Sequence, residues 1–183
     1  VGGKSKFPEH VKLANNLVAN FKQMEVGSSV PVFELPDVDK NYVSLDDFKG
    51  KWIYLSFVRV GDPNSLREIE TLAHFKDSVY AKSENVVFVT VACDREFQKM
   101  YHFLKNNKKG NVYNWTWLHF NGNFKLLEQF EVVAYPTFLL INPDGKLQYS
   151  VTPTPASGFL LSPPWLPNVD KEVQRGQWLR SGR

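Results

Sequence analysis

Two stretches of seven residues are almost continuously apolar: Trp52-Ile53-Tyr54-Leu55-Ser56-Phe57-Val58 and Val86-Val87-Phe88-Val89-Thr90-Val91-Ala92. Runs of that length, rich in β-branched and aromatic residues, read as strands buried on both faces, as in parallel or mixed sheets. Between them, after a break at residues 61–65, Leu66, Ile69, Leu72, Ala73 and Val79 fall at helical spacing. A strand, a helix and a second buried strand make a crossover unit. The alternation then continues. Phe97, Met100, Tyr101 and Leu104 predict a helix from about 95 to 108, followed by a strand at 115–120, a short helix at 124–130 and a strand at 136–141. Upstream, residues 30–35 predict an opening strand with Pro31 near its start, where a missing N–H costs little. Residues 37–41 carry turn chemistry, and 44–48 a helical turn ending at Gly50. Downstream, Asn142-Pro143-Asp144-Gly145 predicts a tight turn, with residues 146–151 returning as a hairpin strand. The order β-α-β-α-β-α-β-β gives an α/β sandwich, a central mixed sheet flanked by helices.

Two flanks frame this pattern. Val11, Ala14, Leu17, Val18, Phe21 and Met24 predict an amphipathic extra helix before Gly27. After residue 151, Pro153, Pro155, Pro163, Pro164 and Pro167 leave no room for a long regular element. The expected division is a lead and helix at 1–25, an α/β domain at 26–151, and a proline-rich, basic extension at 152–183. A Val at position 1 implies a removed leader or a fragment of a longer chain, with an additional domain upstream.

Several functions are excluded. The net charge of +3 resides wholly in the tail, where Lys171, Arg175, Arg180 and Arg183 face only Glu172. Residues 1–170 are therefore neutral, without the basic stripe of a nucleic-acid binder. Lys105, Lys108 and Lys109 are the only dense basic cluster, and a solvated helix end accounts for them. The longest apolar runs, such as 138–141, fall far short of the ~18 residues of a membrane span. A single cysteine, Cys93, rules out an internal disulfide, a Cys-x-x-Cys pair and a multi-cysteine zinc site. His10, His74, His102 and His119 show no metal-ligand spacing.

Ordered landmarks then bring a resemblance into view. Val30-Pro31-Val32-Phe33-Glu34-Leu35, Phe48-Lys49-Gly50-Lys51, Phe57 with its following helix, Val91-Ala92-Cys93-Asp94, and Tyr135-Pro136-Thr137-Phe138 occur in sequence. Together they resemble the thioredoxin-like fold. Within it they are similar to bacterial TlpA/ResA-type thiol–disulfide oxidoreductases and to AhpC/TSA-like peroxiredoxins, over about residues 26–151. The resemblance implies an exported or periplasmic protein and a cis bond before Pro136. It also implies that the family's two active-site cysteines fall on Asp62 and Ser65. The tetrapeptide here is Asp62-Pro63-Asn64-Ser65; a register one residue earlier, 61–64, keeps proline third. Neither register holds a thiol, and no peroxidatic cysteine stands at that step. The family's working thiol is stabilised as thiolate by free amides at a helix N-terminus, and a second thiol resolves the mixed disulfide. A carboxylate does not attack a disulfide. A serine needs a base, and His74 and His102 lie on predicted helices, with no triad logic to place them.

Two readings follow. In the first, the domain is a degenerate thioredoxin-like module without catalysis, acting through the old active-site groove. Asp62 then serves as helix N-cap, Pro63 as first helical residue, and Ser65 with Glu68 as a capping box. The groove beside Tyr135 and Pro136 holds an extended peptide. In the second, Cys93 acts alone as a redox or regulatory thiol at a strand's carboxyl end, against the bland reading of a small buried hydrophobe. Trp115 and Trp117 read as core and half-exposed neighbours. Trp165, set among prolines, reads as an anchor packed on the domain. No cofactor is implied.

Overall fold

The computed structural model describes residues 24–78, 80, 83–107, 112–149 and 152–161. The expected helix before Gly27 lies outside these residues apart from Met24, as do Lys108, Lys109, Trp165 and everything beyond residue 161.

Both long apolar runs form strands at their expected bounds, β3 (Trp52–Val58) and β4 (Val86–Ala92). They pair in parallel across helix α1 (Pro63–Ser78). Helix α2 (Phe97–Asn106) carries the chain to β5 (Thr116–His119), which pairs in parallel with β4. The short helix α3 (Phe124–Gln129) leads to β6 (Thr137–Ile141), antiparallel to β3. The sheet order is β5-β4-β3-β6, a mixed sheet with helices on both sides.

Strand periodicity divides the core into two layers. Ile53, Leu55, Phe57, Val89, Val91, Leu139 and Ile141 join one cluster with Leu126 and Phe130. Tyr54, Phe88, Phe138 and Leu140 point to the other face, against Leu72 and Phe75 of α1. That second face holds a buried polar pair. Ser56 Oγ and Thr90 Oγ1 lie 2.7 Å apart, and Trp115 Nε1 donates to Thr90 Oγ1 at 2.9 Å.

The opening and closing strands differ from expectation. The opening strand is β1 (Glu34–Pro36), displaced toward the turn, with isolated bridges at Ser29 before it and Asp37 after it. Its partner is a strand that sequence reading missed, β2 (Tyr42–Ser44). The turn explains the shift. Asp37 Oδ1 accepts from the amides of Asp39 and Asn41, each at 2.8 Å, which folds the chain back there. Of the expected closing strand at 146–151, the described residues 146–149 form isolated bridges, Lys146 with Ser29 and Leu147 with Ile141, and a bond from Gln148 N to Leu140 O. Pro153 and Pro155 remove ladder donors just beyond.

A proline-containing segment takes that strand's place. Thr152 Oγ1 accepts from Leu140 N at 2.9 Å, as a neighbouring strand's carbonyl would. Tyr54 donates to Pro153 O and Tyr80 to Leu160 O, and Leu160 is fully buried. Thr152→Val keeps the shape but leaves the buried Leu140 N–H unpaired. The expected cost is about 1–3 kcal/mol, read as a lower urea midpoint at unchanged slope. An unchanged midpoint would mean that water replaces the hydroxyl.

Candidate functional site

Parallel pairing of β3 with β4, and antiparallel pairing of β6 with β3, bring three chain segments to one end of the sheet. These are residues 59–65 after β3, Cys93 and Asp94 after β4, and Tyr135-Pro136 before β6. Cys93 N donates to Val58 O at 2.7 Å, which locks the first two together. The Tyr135–Pro136 peptide bond is cis.

The N-terminus of α1 is closed by its own sequence. Pro63 contributes no N–H. Asp62 Oδ2 accepts from Ser65 N at 2.7 Å, and Asp62 O accepts from Leu66 N at 3.0 Å. Asp62 is therefore the N-cap. Hydrogen bonds from Ser65, first through its backbone N–H, hold the Asp62 carboxyl below the usual range. A carboxylate thus occupies the electrostatic niche at this helix N-terminus.

The expected capping box does not form. Ser65 sits inside the first turn, fully buried, and its Oγ accepts from Arg59 N at 3.3 Å. Glu68 is also buried and turns away, its Oε2 accepting from Ala156 N at 2.9 Å. Both side chains have other partners, Arg59, six positions before Ser65, and Ala156, 88 positions after Glu68, which a local S-x-x-E pattern does not reveal. Asn64 stays at the surface, where its Oδ1 accepts from Arg67 at 3.1 Å.

Cys93 is 2 % exposed, and its thiol faces Val91 O at 3.5 Å. Burial pushes the thiol up to about 12, partly opposed by a hydrogen bond with Tyr135, while Asp94 adds to the rise. The Tyr135 hydroxyl is likewise raised, first by burial and then by Cys93. Arg59 sits over this tyrosine, its guanidinium carbon 4.5 Å from the ring centroid. Sequence reasoning placed Tyr135, Pro136, Cys93 and the 62–65 tetrapeptide, and the fold gathers them. Arg59, an exposed residue that no local pattern marks, lies beside them.

A buried polar pair underpins the cluster. Asp94 Oδ2 accepts from Val60 N at 2.9 Å. His119, 2 % exposed, places Nε2 2.8 Å from Asp94 O, and its Nδ1 accepts from Asn121 N at 3.1 Å. An amide only donates, so Nδ1 is unprotonated and Nε2–H is the donor. Burial lowers the His119 pKa. The unfolded chain therefore takes up this proton first as pH falls. Stability from this residue is complete above the unfolded value near 6.5 and declines below it. The urea midpoint is expected to fall between pH 7 and pH 5 more steeply than in His119→Asn. Parallel slopes would remove the histidine as cause.

Among the described residues there is no cluster of three metal-ligating side chains, and no helix is long and apolar enough to cross a membrane.

Comparison with known proteins fits this geometry. The chain is 27% identical over 148 residues to the thiol-disulfide oxidoreductase ResA of Bacillus subtilis, covering 76% of this chain and 74% of that protein. A structure named as a thiol-disulfide oxidoreductase from Bacteroides vulgatus superposes with a TM-score of 0.66 at 24% identity, covering 75% of this chain and 93% of the other. A secreted disulfide oxidoreductase from Mycobacterium tuberculosis gives 0.53 at 20% identity, covering 66% and 84%. Those two likenesses establish the thioredoxin-like fold. Residues 26–150 match the AhpC/TSA family, and with more than half its length in that match the chain belongs to the AhpC/TSA family.

Proposed function

We propose that this is a non-catalytic thioredoxin-like binding module, and that its groove beside Tyr135 and Pro136 holds an extended peptide segment. The observation that carries this reading is the Asp62 cap. The helix amides that would stabilise a thiolate are already engaged by a carboxylate that cannot exchange with a disulfide. Ser65, at the second cysteine position, is buried and occupied by Arg59 N. A backbone groove beside a proline does not depend on thiols and can outlast them. Cys93 is a poor substitute nucleophile, because its thiol is buried and its pKa raised. We further place the domain outside the cytoplasm, by likeness to its relatives. We take residues 26–151 as the family unit, preceded by a lead at 1–25 and followed by an extension at 152–183 whose residues 152–160 pack against it.

The test is insulin-disulfide reduction with dithiothreitol as reductant. The expected rate equals that of dithiothreitol alone. A faster rate that persists in Cys93→Ser would overturn the non-catalytic reading. A faster rate lost in Cys93→Ser would transfer the chemistry to the single thiol.

A further inference from the structure

We propose that an aromatic cavity beside the β5 edge is a second site, and that it binds a small organic cation. The cavity has a volume of about 550 Å³, within the range of small-molecule sites. None of its lining residues belongs to the cluster at 59–65, 93–94 and 135–136. Its walls follow from the topology. β5 is the outermost strand of the sheet. The turn folded by Asp37 meets it through one bridge, Asp37 with Leu118. Thr116 and Trp117, before that bridge, line the cavity. Tyr101, Leu104 and Lys105 of α2, at spacings of three and four, form another wall.

The lining favours a cation. Phe48, Tyr101, Tyr113, Trp115 and Trp117 supply aromatic rings. Trp115 and Trp117 stack with centroids 5.5 Å apart, and Tyr113 meets Trp115 edge-on at 5.7 Å. The chain's own lysines show what these rings attract. Lys105 Nζ lies 5.4 Å from the Tyr101 centroid. In the adjoining hollow, which shares Val38, Asp39 and Tyr101, Lys40 Nζ lies 5.8 Å from the Phe97 centroid. Asp37, Asp39 and Asp47 also line the cavity, against Lys105 as its cation. Among the described residues none of these three carboxylates is in an ion pair; those that are belong to Asp46, Asp77 and Glu96. Trp117 adds an independent sign of a ligand. It is 3 % exposed, and its Nε1 is the buried side-chain polar atom without a partner among the described residues. An unmet buried donor is costly, and a ligand that carries an acceptor relieves that cost. The ligand class is therefore a primary or quaternary ammonium on a short body that bears a hydroxyl or carbonyl oxygen. Attraction between such a cation and ring faces grows as water is excluded, while an anion is rejected by the carboxylates.

The experiment titrates the whole, isotope-labelled chain and follows its assigned amide and indole N–H resonances. The probes are choline, phenethylamine and the neutral carbon analogue of choline, in which a tert-butyl group replaces trimethylammonium. We expect both cations to give saturating shifts at the Trp115 and Trp117 indoles, and the neutral analogue to bind at least about tenfold more weakly than choline. Asp39→Asn is expected to weaken choline binding about threefold, and Lys105→Gln to tighten it about threefold. Both residues are exposed, so the fold is kept, which unchanged resonances away from the cavity verify. Opposite effects of the two variants are the signature of charge, because a merely structural role gives no such pairing. Equal affinity for the neutral analogue, or variants without opposite effects, overturns the cation reading. Shifts centred elsewhere, or none with either cation, overturn the site. Neither result bears on the groove beside Pro136, which the insulin assay tests separately.

Discussion

Asp62→Cys combined with Ser65→Cys is expected to give the protein a working dithiol. The two positions are three apart across the helix start, and the Asp62 carboxylate already reaches Ser65 N at 2.7 Å, so side chains at 62 and 65 approach closely enough for a disulfide with small adjustment. Position 62 is at the surface, beside amides that now bond a carboxylate. A thiolate there takes over the same stabilisation, so its pKa is expected below the unperturbed value of about 8.5. Position 65 is buried, suited to the thiol that resolves. Insulin reduction by the double variant is expected at least about tenfold above the wild type, a gain limited mainly by how far the thiolate is stabilised. Mass spectrometry should find two fewer hydrogens after mild oxidation. A variant that forms the disulfide but has an ordinary thiol pKa when reduced, and no activity, would mean that the site has lost more than its cysteines.

Cys93 is expected to resist alkylation in the folded protein. Raising the thiol from 9.0 to about 12 removes roughly three powers of ten from the thiolate fraction near pH 8. Thiolate is the reacting form, and burial at 2 % exposure blocks access besides. Iodoacetamide should therefore modify the native protein at least about a thousandfold more slowly than the urea-unfolded chain. A native rate near the unfolded one would restore the single-thiol reading. A slow rate confines Cys93 to packing among Val91, Leu118 and Phe120.

Local pattern told most about elements that are uniform along their length. The seven-residue runs at 52–58 and 86–92 became strands at those bounds, because burial on both faces demands continuous apolar sequence. Asp62 and Pro63 became the start of a helix, since capping is settled within four residues. Pattern failed where a residue's partner lies outside its own local motif. Residues 42–44 look like loop, and they form a strand only because Asp37 folds them against 34–36. Ser65 and Glu68 read as mutual caps, yet one bonds Arg59 N and the other Ala156 N, 88 positions away.

The sequence by itself determined the α/β order, the absence of thiols at residues 62–65 and the single cysteine that limits any redox chemistry. These depend on residue identity and short-range periodicity alone. Tertiary structure decided that Cys93 is buried beneath Tyr135, that Arg59 lies across that ring, and that a threonine hydroxyl closes the β6 edge. Each depends on strand register, and register is fixed by burying two opposite faces of one sheet against different partners.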